Sequence, residues 1–212
     1  MTIPSREAAV DPAHAALLIV DVQNYCAHPD GRCWREHEPT PHFAESLHQT
    51  IVPNIRRLQA ACREARIEIL YSVIENMTKD GRDRSLDYRI SGIDVPRASW
   101  DAQVLDDIGP AEDEMIFRKT SSNVFVSTNI DYVLRNLGVR SLIVTGIMTD
   151  QCVESAVRDA CDLGYLVTLI TDACTTNTAE RHRQSLLGLA GYCRVRTTDA
   201  VLAEIALRVD TG

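Results

Sequence analysis

Three side chains in this sequence have the types and settings that acyl transfer requires. Cys152 stands in TGIMTDQCVESAVRDA (145–160), where an apolar run stops at a glycine and a helical pattern begins soon after. Asp21 closes the run AALLIVD, and Lys119 closes EMIFRK. A thiol becomes a strong nucleophile once deprotonated. A carboxylate can take its proton, and an ammonium can stabilise the negative charges that result. A cysteine in the first turn of a helix also lies near the positive end of the helix dipole and near free backbone N–H groups. Both lower its pKa, and the N–H groups can hold an oxyanion. The expectation is a thiol poised to ionise. Each residue also has a plainer reading: a strand-end Asp often caps a helix, a Lys there is usually solvated, and Cys152 fits an apolar core face.

The elements that must position these residues are legible in the hydrophobic pattern. Runs at 15–21, 67–74, 114–119, 141–146 and 165–172, with a weaker one at 193–198, read as strands. Helical patterns fall at 43–66, 129–137, 150–163, 178–190 and 199–208. The strands are nearly continuous in apolar residues rather than alternating, which marks a parallel sheet covered on both faces. This predicts one doubly wound α/β domain over residues 1–212. In such sheets ligands bind beyond the carboxyl ends of the strands, so Asp21, Lys119 and Cys152 converge on one rim. On the helix after Cys152, two rows face the core: Cys152, Ala156, Ala160 and Val153, Val157, Cys161. Thr149 or Asp150 is placed to cap its start and Gly164 to close its end. The stretch from Glu75 to Trp100 is too long for an ordinary connection and reads as a functional loop.

Composition narrows the classes of function. The 212 residues carry a net charge of −8 with no long basic run, which disfavours nonspecific nucleic-acid binding. No apolar segment approaches the ~18 residues of a membrane span, and MTIPSREAAVDP lacks the apolar core of a signal peptide. A cytoplasmic protein with a small-molecule substrate is expected. Seven cysteines without a CxxC pair read as free thiols. His182 is an alternative base, although ERHRQ looks like a charged helix surface. Cys26, His28, Cys33, His37 and His42 could be drawn into a metal cluster, but their spacing matches no standard zinc pattern. A dinucleotide site would need GxGxxG, which is absent. A receiver-type signalling domain would need an acidic pair where Val22 follows Asp21.

The order Asp, Lys, Cys, with LLIVDVQN, SWDAQVLDDI, EDEMIFRKTSSNVF and STNIDYVLRNLGVRSLIVTGIMTDQCVESAVRDACDLGYLVTLITDAC around it, resembles the isochorismatase-like cysteine hydrolase superfamily from about Ala15 to Ala200. The branch it looks most like is that of the ureidoacrylate and N-carbamoyl amidohydrolases. The resemblance implies a Rossmann-like three-layer α/β/α sandwich with a central, mainly parallel sheet. It implies Asp21, Lys119 and Cys152 as the catalytic triad, and a cis peptide at Ile147–Met148 that turns the Met148 N–H toward the Cys152 N–H as an oxyanion hole. It also implies hydrolysis of a small amide or ureido compound through a thioester, no cofactor, and a homo-oligomer, a dimer or tetramer. Isochorismatase and its vinyl-ether-cleaving relatives lack the nucleophilic cysteine. Nicotinamidases carry histidine metal ligands where this chain reads VIENMTKDGRDRSLDYRI. A vinyl-ether hydrolase and a non-catalytic binding relative stand as the alternatives. Tyr25, Glu75, Asn76 and Trp100 are the candidate substrate contacts. Arg82, Arg84 and Arg89, interleaved with Asp80, Asp83 and Asp87, are candidates for holding a substrate carboxylate.

Overall fold

A computed structural model of the chain describes residues 3–111 and 113–209. Among these, β1 (Ala15–Val20), β2 (Glu68–Ile74), β3 (Met115–Lys119), β4 (Ser141–Ile147), β5 (Leu166–Thr175) and β6 (Arg194–Arg196) form one sheet. Its order is β3-β2-β1-β4-β5-β6 and every pairing is parallel. The helices are α1 (Asn24–Ala27), α2 (Arg32–Glu36), α3 (Pro41–Ser46), α4 (Val52–Glu64), α5 (Leu86–Ile90), α6 (Val124–Ser127), α7 (Ile130–Asn136), α8 (Glu154–Asp162), α9 (Ala179–Gly188) and α10 (Thr198–Val209).

The continuous apolar run of β1 is explained by burial on both faces. Leu17 and Ile19 pack with Ile55 and Leu58 of α4 and Ile205 of α10. Ala16, Leu18 and Val20 pack with Leu134 of α7 and with Ala156, Val157 and Ala160 of α8. Successive strand side chains point to opposite faces, so one strand feeds two cores and needs apolar residues throughout. The three-layer α/β architecture expected from the sequence is the one found.

Two helical stretches differ from expectation in detail. The segment expected as one helix over 43–66 divides at a π-helical turn, Leu47–Ile51, between α3 and α4. Pro53 has no N–H to donate into the preceding turn, so the helical register changes there. The helix expected over 150–163 likewise begins as a π-helical turn, Thr149–Val153, before α8. Cys152 sits in that turn.

The sheet order reverses between β1 and β4, so the crevice beyond their carboxyl ends is the switch point where ligands bind in open α/β sheets. Gly146 lets the two strands meet there. Its φ is +120°, and a Cβ on it would lie 2.1 Å from the Val20 carbonyl oxygen. Only glycine satisfies both conditions. Gln23, fully buried, ties β1 to β2: its Oε1 accepts from the Ile74 N–H at 2.6 Å and its Nε2 donates to the Ile74 carbonyl at 3.0 Å.

Candidate active site

The three strand-end residues meet. Asp21 turns sharply out of β1 with φ 56°, a left-handed conformation that aspartate tolerates better than most side chains. Its N–H bonds the Ser72 carbonyl at 3.0 Å, and its Oδ1 accepts from Ser72 Oγ at 2.8 Å. Lys119 stands two strands away, across roughly 10 Å of sheet, and spans that gap with its full length. Its Nζ lies 2.8 Å from Asp21 Oδ2, and neither side chain is more than 2 % exposed. The same nitrogen donates to the Ser121 carbonyl at 3.0 Å and to Cys152 Sγ at 3.5 Å. Apart from the Lys119 ammonium, Asp21 Oδ2 has no hydrogen-bond partner among the described residues. Its remaining lone pair is therefore free to take the proton of the Cys152 thiol, which lies 3.5 Å from the same Lys119 nitrogen.

The electrostatics differ from the expectation of a readily ionised thiol. Burial pushes the Cys152 pKa up to about 12; Lys119 pulls it down and Asp21 pushes it up further. The reason is geometric. The thiol is 7 % exposed and packed in the α8 core, so loss of hydration outweighs the nearby cation. Burial also works against the Lys119 charge, but Asp21 beside it holds its pKa well above the usual lysine range. The resting arrangement is a neutral thiol between an ammonium and a carboxylate, which calls for a base at the moment of attack.

Neither expected cap serves the turn that carries Cys152. Thr149 Oγ1 instead bonds His182 Nδ1 at 2.9 Å. Asp150 takes hydrogen bonds from Thr176 Oγ1 and Arg181 Nε, each at 2.5 Å. Ser185 Oγ, from the same helix α9, donates to the Thr149 carbonyl at 3.3 Å. His182 thus braces the turn rather than touching the thiol. The peptide bond Ile147–Met148 is cis, at the position the sequence comparison implied.

A cavity of about 480 Å³ opens above these groups, with Asp21, Cys152, Met148 and Tyr25 among its lining residues. The other candidate contacts lie elsewhere. Glu75 turns to the far side of β3, where its Oε2 accepts from Arg118 Nε at 2.6 Å. Asn76 Nδ2 donates to Asp94 Oδ1 at 2.7 Å within the loop. Trp100 packs edge-on against His28 at 4.9 Å. None of the three lines the cavity, because the chain leaving β2 bends away before it returns over the site. Arg82, Arg84 and Arg89 do not line it either. Arg82 pairs with Asp80 at 2.9 Å, and Arg84 bonds the Gly81 and Ile93 carbonyls, each at 2.9 Å.

The drawn metal cluster separates as well. Cys26, Cys33 and His37 line the cavity, while His28 sits on Trp100. Among the described residues no three His, Cys, Asp or Glu side chains gather as a metal group would require. Sequence reasoning passed over several lining residues: Tyr88, Gln151, Ser122, Ser155 and Ser91. Tyr88, from α5, is the most consequential. Its hydroxyl accepts from Lys119 Nζ at 2.8 Å. An aromatic residue inside the highly charged run RDRSLDYRISG was the available signal.

Comparison with known proteins places the chain among relatives. The isochorismatase domain model matches residues 15–200. The ureidoacrylate amidohydrolase RutB of Enterobacter sp. (strain 638) is 31 % identical over 190 residues, covering 81 % of this chain and 80 % of its own. RutB of Agrobacterium fabrum (strain C58 / ATCC 33970) is 28 % identical over 191 residues, covering 82 % of each chain. Among solved structures, a cysteine hydrolase from Pseudomonas syringae pv. phaseolicola 1448A superposes with a TM-score of 0.83 at 25 % identity, over 98 % of this chain and 100 % of that one. No helix among the described residues is long and apolar enough to cross a membrane.

Proposed function

The chain belongs to the isochorismatase family as a hydrolase of carbon–nitrogen bonds, and on that premise we propose that it is a cysteine-dependent amidohydrolase of a small amide or ureido (N-carbamoyl) compound. The observation that carries this reading is the contact of the buried Lys119 Nζ with both Asp21, at 2.8 Å, and Cys152, at 3.5 Å, two of the residues that line the switch-point cavity.

The steps follow from the groups present. Asp21 Oδ2 takes the thiol proton, and Cys152 Sγ attacks the carbonyl carbon. The N–H groups of Met148 and Cys152 hold the oxyanion. The C–N bond breaks as Asp21 returns its proton to the nitrogen, which leaves as ammonia or an amine. Water, deprotonated by Asp21, then cleaves the thioester and frees Cys152. Lys119 stays charged throughout and offsets the negative charge shared by Asp21 and the sulfur. A volume of about 480 Å³ suits a small molecule and not a peptide chain.

Ammonia release from a panel of ureido acids, simple amides, nicotinamide and isochorismate at matched concentration tests the substrate class, with loss of isochorismate followed separately. Best turnover is expected with a ureido compound or a simple primary amide. Fastest turnover of nicotinamide or of the vinyl ether would sink this reading, and silence across the panel would favour a non-catalytic binding protein. Prolonged treatment with a strong chelator is expected to leave the rate unchanged, because every step above uses this chain's own side chains. Loss on chelation, restored by zinc or manganese, would contradict the mechanism.

A further inference from the structure

Tyr88 enters the site from the loop rather than from a strand end. Its side chain is 1 % exposed and packs in the core cluster that includes Tyr25, Ile74 and Ile147. Ser85 fixes its backbone, accepting from the Tyr88 N–H at 3.1 Å. The Ser85 N–H in turn bonds the carbonyl of Thr120, the residue after Lys119, at 2.9 Å. The loop and the end of β3 therefore hold the phenol and the ammonium as one unit.

The direction of each proton follows from the chemistry of the donors. An ammonium can only donate, so the Tyr88 oxygen, 2.8 Å from Lys119 Nζ, accepts. The phenolic proton must then point elsewhere. The other partner of the hydroxyl is Cys152 Sγ, at 4.0 Å. Once the thiol proton has left for Asp21 the sulfur can only accept, so the phenol is the donor of that contact.

We propose that Tyr88 is a positioning residue for the nucleophile: its hydroxyl orients Lys119 and donates a hydrogen bond to the Cys152 sulfur as the thiol proton leaves for Asp21. Tyr88 keeps its own proton throughout, and no bond to it forms or breaks. Burial raises the phenol far above its usual pKa, which keeps it a donor at every working pH. The thiolate thus has two donors, Lys119 and Tyr88, and loses one if the hydroxyl is removed. This rests on Cys152 as the nucleophile but on no particular substrate.

The test is iodoacetamide alkylation of Cys152 as a function of pH, read on the Cys152 peptide by mass spectrometry, with Cys152→Ala as the blank. In Tyr88→Phe, which keeps the ring and its packing, the pH giving a set alkylation rate is expected to rise by about one unit. That is the roughly tenfold effect of one hydrogen bond to a charged group. Turnover of the best panel substrate should fall about tenfold with KM little changed. Site-specific replacement of Tyr88 by 3-fluorotyrosine, a stronger donor of nearly the same shape, should move the alkylation profile to lower pH. A purely structural role would leave both profiles on that of the wild type, and that result would overturn the proposal. Should Tyr88→Phe fail to fold, the fluorotyrosine profile decides alone. If no panel compound is turned over, the proposed activity fails while the alkylation profiles still decide the role of Tyr88.

Discussion

Replacing Cys152 by alanine is expected to lower turnover by about 10⁴-fold or more while the protein still folds. Of the three thiols that line the cavity among the described residues, Cys152 is the one hydrogen-bonded to Lys119 Nζ, and loss of a nucleophile has effects of this order. The structural cost is small, about 1 kcal/mol, because one buried heavy atom is removed from a packed face. Ammonia release and a thermal melt separate the two effects. Retention of more than a few per cent of activity would remove Cys152 from the mechanism. Asp21→Asn should be nearly as damaging at neutral pH, for a specific reason. Burial holds the thiol pKa up at about 12, so few thiolates form without an adjacent base. Removing the Asp21 charge also removes a contribution that raises this pKa. The residual activity of Asp21→Asn should therefore climb with pH more steeply than that of the wild type. Parallel pH profiles would show that Asp21 is not the base.

Lys119→Met should produce the largest loss of stability. It keeps the length of the side chain but leaves the Asp21 carboxylate, 2 % exposed, in the interior without its counter-ion. Breaking one partner of a buried ion pair costs about 3–5 kcal/mol. The Cys152 thiol also loses the cation that opposes its burial, so its alkylation should shift to higher pH. The double variant Asp21→Asn/Lys119→Met should recover most of the stability, since no uncompensated charge remains, and none of the activity. Urea unfolding midpoints of the four proteins in this cycle measure the coupling. A single variant as stable as the wild type would mean that the pair is not what holds the strand ends together.

The wider loop shows how far pattern reading extends. The stretch from Glu75 to Trp100 does cover the cavity, through Asp87, Tyr88, Ser91 and Ile93. Which of its residues face inward was not legible. Glu75 and Asn76 follow a strand directly and are polar and buried, at 6 % and 3 % exposed, which is how substrate contacts present themselves in a sequence. Their burial serves hydrogen bonds to Ala98, Arg118 and Asp94 instead. Periodicity has no purchase on a segment whose one helix is five residues long.

The sequence by itself determined the layered α/β architecture, because a strand buried on both faces must be apolar at every position and the intervening helices must be amphipathic. It also determined which strand ends bear the three groups that meet at the rim, because Asp21, Lys119 and Cys152 each close or follow an apolar run. The convergence of those ends depended on the sheet order, and so did the reach of Lys119 across two strands. The protonation state of the thiol was decided only in three dimensions. A cysteine near a helix start reads as activated from sequence, whereas the folded chain withdraws it from water and sets Lys119, Asp21 and Tyr88 around it. Desolvation is a property of everything packed about an atom, most of it distant in the chain, and no local pattern of residues encodes it.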